Sequence, residues 1–236
     1  MNKVLRMIQI GLVLVIIGAV YLIFQHRLDN EAEEEQYEVL QTDYKKNGVR
    51  PQFEALAKIN PDIQGWIHLE GTNLNYPVLQ SKDNQDYLDY NFKKQKTKKG
   101  SIFVDYRNNL QDLSQNTVLY GHSVGDQTMF DDLHQYLNQT FYDNHQTIAF
   151  DTKYHQYEIK VLSAFSTDTH DNYIQTDFRN EHEYKQFIKE TKNKSKIKTD
   201  ISVKPQDKII TLSTCEDAFS RSDKRIVVVG KLIENR

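Results

Sequence analysis

The 236-residue chain contains little cysteine, proline and glycine: one Cys, four Pro and nine Gly. These counts exclude a collagen-like or low-complexity chain, and a single cysteine excludes a disulfide framework within the chain. The chain also lacks a large excess of positive or negative charge, because its formal net charge is only -3. We therefore predict no nucleic-acid partner. The eight histidines include no short ligand pair, so we predict no metal and no cofactor.

The chain has only one long apolar run, Met7–Phe24, which reads MIQIGLVLVIIGAVYLIF. A run of about 18 residues meets the lower limit for a membrane-spanning helix and exceeds the apolar core of a cleaved signal peptide. Lys3 and Arg6 precede it and acidic residues follow it, which favours a cytoplasmic N-terminus. We therefore predict a cytoplasmic tail at 1–6, a single transmembrane anchor at 7–24 in the cell membrane, and an extracellular remainder.

Beyond the apolar run, the pattern is first helical and then β-like. Helices are predicted at 30–46, beginning at an Asn N-cap, and at 51–59, and a lysine-rich run at 93–99 predicts a solvated loop. A polar helix at 181–192 separates the sixth and seventh strands, and another short helix is predicted at 126–137. Eight short β-type runs with turn residues between them predict a closed or nearly closed barrel. These runs are 65–69, 76–79, 101–105, 117–122, 147–150, 157–165, 208–215 and 225–233.

The single cysteine, Cys215, ends the seventh predicted strand, within the sequence TLSTCEDAFSRSDKR. An unpaired thiol outside the cytoplasm either pairs with another chain, reacts, or is an inert buried side chain. Arg225 begins the next strand, so antiparallel pairing of these two strands would place both residues at one rim of the barrel. His122 ends the strand TVLYGH, and all three residues would meet if that strand ends at the same rim.

Thiol, imidazole and guanidinium groups together suit acyl transfer. A free thiol with a pKa of about 8.5 is mostly protonated at neutral pH, and a nearby cation lowers that pKa. A histidine can protonate a leaving amine, and the donors of an arginine suit the oxyanion that forms on an attacked carbonyl. Arg221 is an alternative to Arg225, but no predicted strand fixes its position.

The sequence TLSTC, with an Arg at the head of an apolar strand ten residues later and an upstream LYGH, resembles the sortases. These are membrane-anchored cysteine transpeptidases of Gram-positive bacteria. The resemblance covers 62–233, and the segments 76–92 and 99–108 are most similar to the class B subgroup. It implies a mainly β fold: an eight-stranded sortase-like barrel at 61–236, preceded by an extracellular helical segment at 25–60.

The resemblance also implies a reaction and a set of site residues. Cys215 would attack the C-terminal sorting signal of a surface protein, and an amine of a lipid-linked cell-wall precursor would resolve the thioester. His122 would be the acid/base, and Arg225 would stabilise the oxyanion or position the peptide. We assign no proton-transfer role to Glu216, the acidic residue that follows the cysteine. The substrate groove of the family matches Asn84, Leu88, Tyr120, Thr169, Tyr173, Ser213 and Glu216, although Leu88, Tyr120 and Ser213 are equally compatible with structural roles.

Three other interpretations remain open at this point. Another sortase class, either pilin-polymerising or housekeeping, would use the same three groups. A papain-like hydrolase would need a helix carrying the cysteine and an Asn or Asp behind the histidine, whereas Cys215 ends an apolar strand. A non-catalytic membrane-tethered surface module would need only an inert thiol.

Overall fold

The structure is a computed structural model that describes residues 3–46, 53–215 and 223–235. The chain divides into two compact units, residues 1–49 and residues 50–236. All the strands described below belong to the second unit.

In its described part, the first unit is a single α-helix, α1 (Lys3–Lys46). The helix predicted at 30–46 is the C-terminal part of α1, and the prediction that a helix begins at Asn30 was wrong because α1 continues through this residue. Within the residues that the structure describes, no helix is long and apolar enough to cross a membrane. The transmembrane helix predicted at 7–24 is therefore not supported by the structure.

The second unit is a closed eight-stranded barrel, as the alternating short runs predicted. All eight predicted strands are present, with small shifts at their ends. Their bounds are β1 (Ile63–His68), β2 (Asn75–Leu79), β3 (Ile102–Val104), β4 (Asn116–Tyr120), β5 (Thr147–Thr152), β6 (Gln156–Asp168), β7 (Ile209–Cys215) and β8 (Lys224–Glu234). The order around the barrel is β1-β2-β3-β4-β7-β8-β6-β5, and closure pairs every strand on both sides.

The helices of the second unit lie around the barrel. Helix α2 (Phe53–Ile59) precedes β1, and the short α3 (Asp86–Asp89) follows β2. The helix predicted at 126–137 is instead a 3₁₀-helix, Asp131–Leu137, followed by α4 (Gln139–Asn144). The polar helix predicted between the sixth and seventh strands is confirmed as α5 (Glu181–Lys194).

Helix α5 begins where its sequence indicates and packs on the barrel. The Asn180 side chain accepts a hydrogen bond from the backbone N–H of Glu183, which caps the first turn. Tyr184 and Phe187 of α5 belong to one apolar cluster with side chains of β6, β7 and β8. Strand β7 is buried from Ile209 to Thr214 and β8 from Ile226 to Gly230, which explains the continuous apolar sequence of these parts.

Candidate active site

Three strand ends lie at one rim of the barrel. Strand β4 runs parallel to β7, with Tyr120 opposite Ser213, so both strands end on the same side. Strand β8 runs antiparallel to β7, and the backbone of Cys215 lies opposite that of Arg225. The predicted strand 117–122 stops at Tyr120, and His122 lies just beyond it.

A cavity of about 280 Å³ opens at this rim. Of the ten predicted site residues, the cavity lining contains Asn84, Leu88, Tyr120, His122, Thr169, Tyr173, Ser213 and Arg225. The Cys215 side chain and the whole of Glu216 lie outside the described part of the chain. Sequence reasoning missed four further lining residues: Phe103, Gly121, Ile174 and Thr214.

The imidazole of His122 is held by the backbone of the segment that follows β2. Its Nε2 lies 2.8 Å from the carbonyl oxygen of Leu88. Because a carbonyl oxygen can only accept, Nε2 carries the hydrogen, and Nδ1 is the nitrogen left for proton exchange. Gly100 passes close by: a Cβ there would lie 3.0 Å from Cδ2 of the imidazole and 2.6 Å from the Leu88 carbonyl oxygen. Only a glycine permits this close approach, which fixes the ring from a second side.

An ion pair with a buried cation joins the two loops that flank His122. Lys99 is 4% exposed, and its Nζ lies 2.8 Å from Oδ2 of Asp126. The predicted solvated loop at 93–99 was therefore wrong for Lys99, because this side chain turns inward. Burial alone would raise the pKa of Asp126, but hydrogen bonds from Lys99 and Thr128 keep that pKa below its usual value. The Asp126 carboxylate is thus ionised at neutral pH.

Another wall of the cavity comes from the segment 169–176, which lies in the connection from β6 to α5. The Tyr173 hydroxyl lies 3.1 Å from Oγ of Ser213, so Ser213 contacts this wall directly. Asn116 donates from its side chain to the Gln175 carbonyl at 2.8 Å, and its backbone N–H donates to the carbonyl of Thr176 at 2.9 Å. Because β4 and β7 both anchor this segment, the cavity has two firm walls.

Comparison with known proteins identifies the family to which this barrel belongs. The family model described as a Sortase domain matches residues 67–233, more than half of the chain. The chain belongs to the sortase family. It is 52% identical over 240 residues to Sortase B of Staphylococcus aureus (strain NCTC 8325 / PS 47), covering 99% of this chain and 98% of that protein. The sortase assignment made from TLSTC, the downstream arginine and LYGH is therefore confirmed.

Solved structures support the same assignment at the level of the fold. The Staphylococcus aureus sortase B-substrate complex matches this sortase with a TM-score of 0.79 and 54% sequence identity, covering 90% of this chain and 98% of that chain. The crystal structure of Sortase B complexed with triglycine matches with a TM-score of 0.84 and 54% identity, covering 88% of this chain and 100% of that chain. This sortase is accordingly a cysteine transpeptidase of the sortase B type.

The family assignment removes two of the alternatives that the sequence left open. A papain-like enzyme would carry its cysteine on a helix, whereas Cys215 is the last residue of strand β7. A non-catalytic surface module is excluded because the chain is a transpeptidase. Among the described residues, no group of three or more His, Cys, Asp or Glu side chains could hold a metal ion.

One buried carboxylate that the sequence did not single out lies directly behind the cavity wall. Asp105 is 0% exposed. Its Oδ2 accepts hydrogen bonds from the Tyr120 hydroxyl at 2.8 Å and from Nδ2 of Asn84 at 3.0 Å. The guanidinium of Arg107 donates to both carboxylate oxygens, at 2.8 and 2.7 Å. Two residues of the cavity lining therefore share one hydrogen-bond acceptor.

Proposed function

We propose that this sortase cleaves the C-terminal sorting signal of a surface protein and transfers the acyl group to an amine of a cell-wall precursor. The observation that carries the proposal is the cavity at the barrel rim. It collects His122 and Arg225 next to the strand end that bears Cys215. Two similar structures, a sortase B complex with substrate and a sortase B complex with triglycine, support a peptide donor and an amine acceptor.

The first half-reaction forms a thioester. The Cys215 thiol gives its proton to Nδ1 of His122, and the resulting thiolate adds to the carbonyl carbon of the scissile amide while the electron pair of the C=O bond moves to the oxygen. When the C–N bond breaks, the leaving amine takes a proton from Nδ1 of His122. The Nε2–H bond to the Leu88 carbonyl stays in place and keeps the ring aligned during this transfer.

The second half-reaction reverses these roles. The acceptor amine attacks the thioester carbonyl and gives a proton to Nδ1 of His122, and the Cys215 thiolate leaves as the new amide forms. Arg225 supplies N–H donors to the oxyanion in both halves. Its side chain is half-buried and lines the cavity, and its Nη1 donates to the Lys224 carbonyl at 2.8 Å, which limits its rotation.

Mass spectrometry of the purified barrel domain with a sorting peptide and triglycine tests the reaction. Two peptides that differ only in their first residue, one beginning Asn-Pro and one beginning Leu-Pro, are assayed in parallel. We expect an acyl adduct on Cys215, an amide product with triglycine, and a preference for the Asn-Pro peptide. If neither peptide acylates Cys215, the proposed mechanism is wrong. If the Leu-Pro peptide is preferred, another sortase class is indicated.

The proposed location is the cell membrane, with the N-terminus in the cytoplasm and the barrel outside, where it would meet a lipid-linked acceptor. The support for this location is the apolar run at 7–24 in the sequence. We expect the full chain to sediment with membranes and protease added to intact protoplasts to degrade the barrel. Recovery of the full chain in the soluble fraction would contradict the proposed anchor.

A further inference from the structure

We propose that Asp105 is a positioning residue that fixes the hydrogen-bonding groups on one wall of the peptide cavity and thereby sets the choice of sorting peptide. The inference depends on the proposed function, because it concerns recognition of the peptide by the same cavity. Asp105 itself is not part of the cavity lining. Its effect on the peptide would therefore pass through the residues that it holds.

The Asp105 carboxylate is fully used by donors from this chain. Besides the three side chains already described, its Oδ1 accepts the backbone N–H of Arg107 at 2.9 Å. Five donor groups therefore converge on two oxygens, which offer about four lone-pair sites. The carboxylate has no acceptor capacity left for substrate or water, and each donor is held in one direction.

The charge on Asp105 is maintained by these donors. Burial alone would raise the pKa of the carboxyl group, but hydrogen bonds from Arg107, Tyr120 and Asn84 keep it below its usual value. Burial and the adjacent charge raise the pKa of Tyr120 far above its usual range, so its hydroxyl keeps the proton that it donates. The cluster therefore keeps one protonation pattern throughout the neutral range.

For Asn84, the consequence is a fixed amide orientation. Its Nδ2 donates to Asp105, and its Oδ1 accepts the backbone N–H of Tyr106 at 3.0 Å. If the amide were flipped, its oxygen would face the carboxylate and its NH₂ group would face an N–H donor. Because Asn84 lines the cavity, we infer that its second N–H and second lone pair face the peptide in a single order. This order complements an amide side chain on the peptide and offers nothing to an aliphatic one.

Arg107 links Asp105 to the wall formed by the segment 169–176. Its Nη2 donates to the carbonyl of Ile174 at 3.0 Å as well as to Asp105. Ile174 lines the cavity and lies in the segment 169–176 that carries Thr169 and Tyr173. The spacing between the Asn84 wall and this segment is thus coupled through the Asp105–Arg107 pair.

Substitution of Asp105 by asparagine tests the inference, with Asp207→Asn as a matched control. Asp207 forms a carboxylate–ammonium pair with Lys231 at 2.7 Å and lies just before β7, at the opposite end of that strand from Cys215. The measured quantity is the ratio of kcat/KM for the Asn-Pro peptide to that for the Leu-Pro peptide. We expect Asp105→Asn to lower this ratio about tenfold, chiefly through KM, because the Asn84 amide loses the acceptor that fixes its orientation toward the peptide.

Two readouts separate positioning from general damage. The rate at which iodoacetamide alkylates Cys215 should stay within about twofold of the parent in Asp105→Asn, since the nucleophile is untouched. Asp207→Asn should keep the parental peptide ratio even if its Tm falls. In an Asn84→Ala background, Asp105→Asn should lower the ratio by less than it does in the parent, because part of its effect passes through Asn84.

Arg107→Lys provides a second variant if Asp105→Asn does not fold. Arg107 is partly exposed and does not line the cavity. Lysine at this position keeps the positive charge but cannot form the bidentate hydrogen bond to Asp105. We expect the peptide ratio to fall here too. An unchanged ratio in the folded variants, or full additivity with Asn84→Ala, overturns the role of Asp105. Failure of the parent to acylate with either peptide would instead refute the proposed function.

Discussion

Replacing Cys215 with alanine is expected to abolish both peptide cleavage and acyl transfer. Alanine cannot form the thioester, and loss of a catalytic nucleophile lowers kcat by a factor on the order of 10⁴ or more. The barrel should stay folded, because strand β7 is held by backbone pairing to β4 on one side and to β8 on the other. Release of the C-terminal peptide fragment, followed by chromatography, measures the activity, and thermal unfolding measures the fold.

Cys215→Ser is the matched control for this substitution. A serine hydroxyl preserves the shape of the site, but it is a much weaker nucleophile at neutral pH than a cysteine thiolate. We therefore expect it to be nearly as inactive as the alanine variant. Parental turnover by Cys215→Ala, with an unchanged Tm, would show that the nucleophile lies elsewhere.

The barrel was predictable because local sequence patterns identify each of its strands. The runs that became β7 and β8 are rich in β-branched residues and are bounded by turns, so their existence followed from pattern alone. The antiparallel contact of Cys215 with Arg225 followed from the order of the last two strands. Parallel pairing of β4 with β7 did not, because these strands lie far apart in sequence and the pairing depends on closure of the whole barrel.

The polar contacts that position the site residues could not be predicted from local sequence either, because they also join residues that are distant in sequence. Asp105 and Asn84 are 21 residues apart, and no periodic pattern joins a loop after β2 to the end of β3. The lysine-rich run looked solvated because lysines are usually exposed, and only the position of Asp126 explains why Lys99 turns inward. Long-range pairing of polar groups overrides composition in both cases.

The wrong helix prediction at 126–137 has a different cause. The sequence analysis predicted one helix at 126–137, but Gly125 and the left-handed backbone at Gln127 and Met129 delay the helix until Asp131. The Asp131 carboxylate accepts the backbone N–H groups of Val124 and Gln127, which stabilises the loop in place of a first helical turn. Side-chain bonds to the backbone thus decided where the helix begins.

Replacing Arg225 with lysine is expected to lower kcat by about 10²–10³ while leaving the fold intact. Lysine keeps the positive charge but lacks the planar fork of donors, and the loss of one oxyanion donor typically costs about 2.7–4 kcal/mol. Arg225 occupies a strand position opposite Cys215, so a change in its donor geometry acts directly where the oxyanion forms. Single-turnover acylation with the Asn-Pro peptide separates this step from hydrolysis and product release.

Arg221→Lys is the control that the chain itself offers, because Arg221 carries the same group four residues earlier and lies outside the described residues. We expect this variant to acylate at nearly the parental rate, since the sequence predicts no strand at Arg221. A large loss in Arg221→Lys together with full activity in Arg225→Lys would transfer the oxyanion role to Arg221. Parental rates in both variants would mean that positive charge alone suffices, and the cavity would then stabilise the oxyanion without a directed guanidinium.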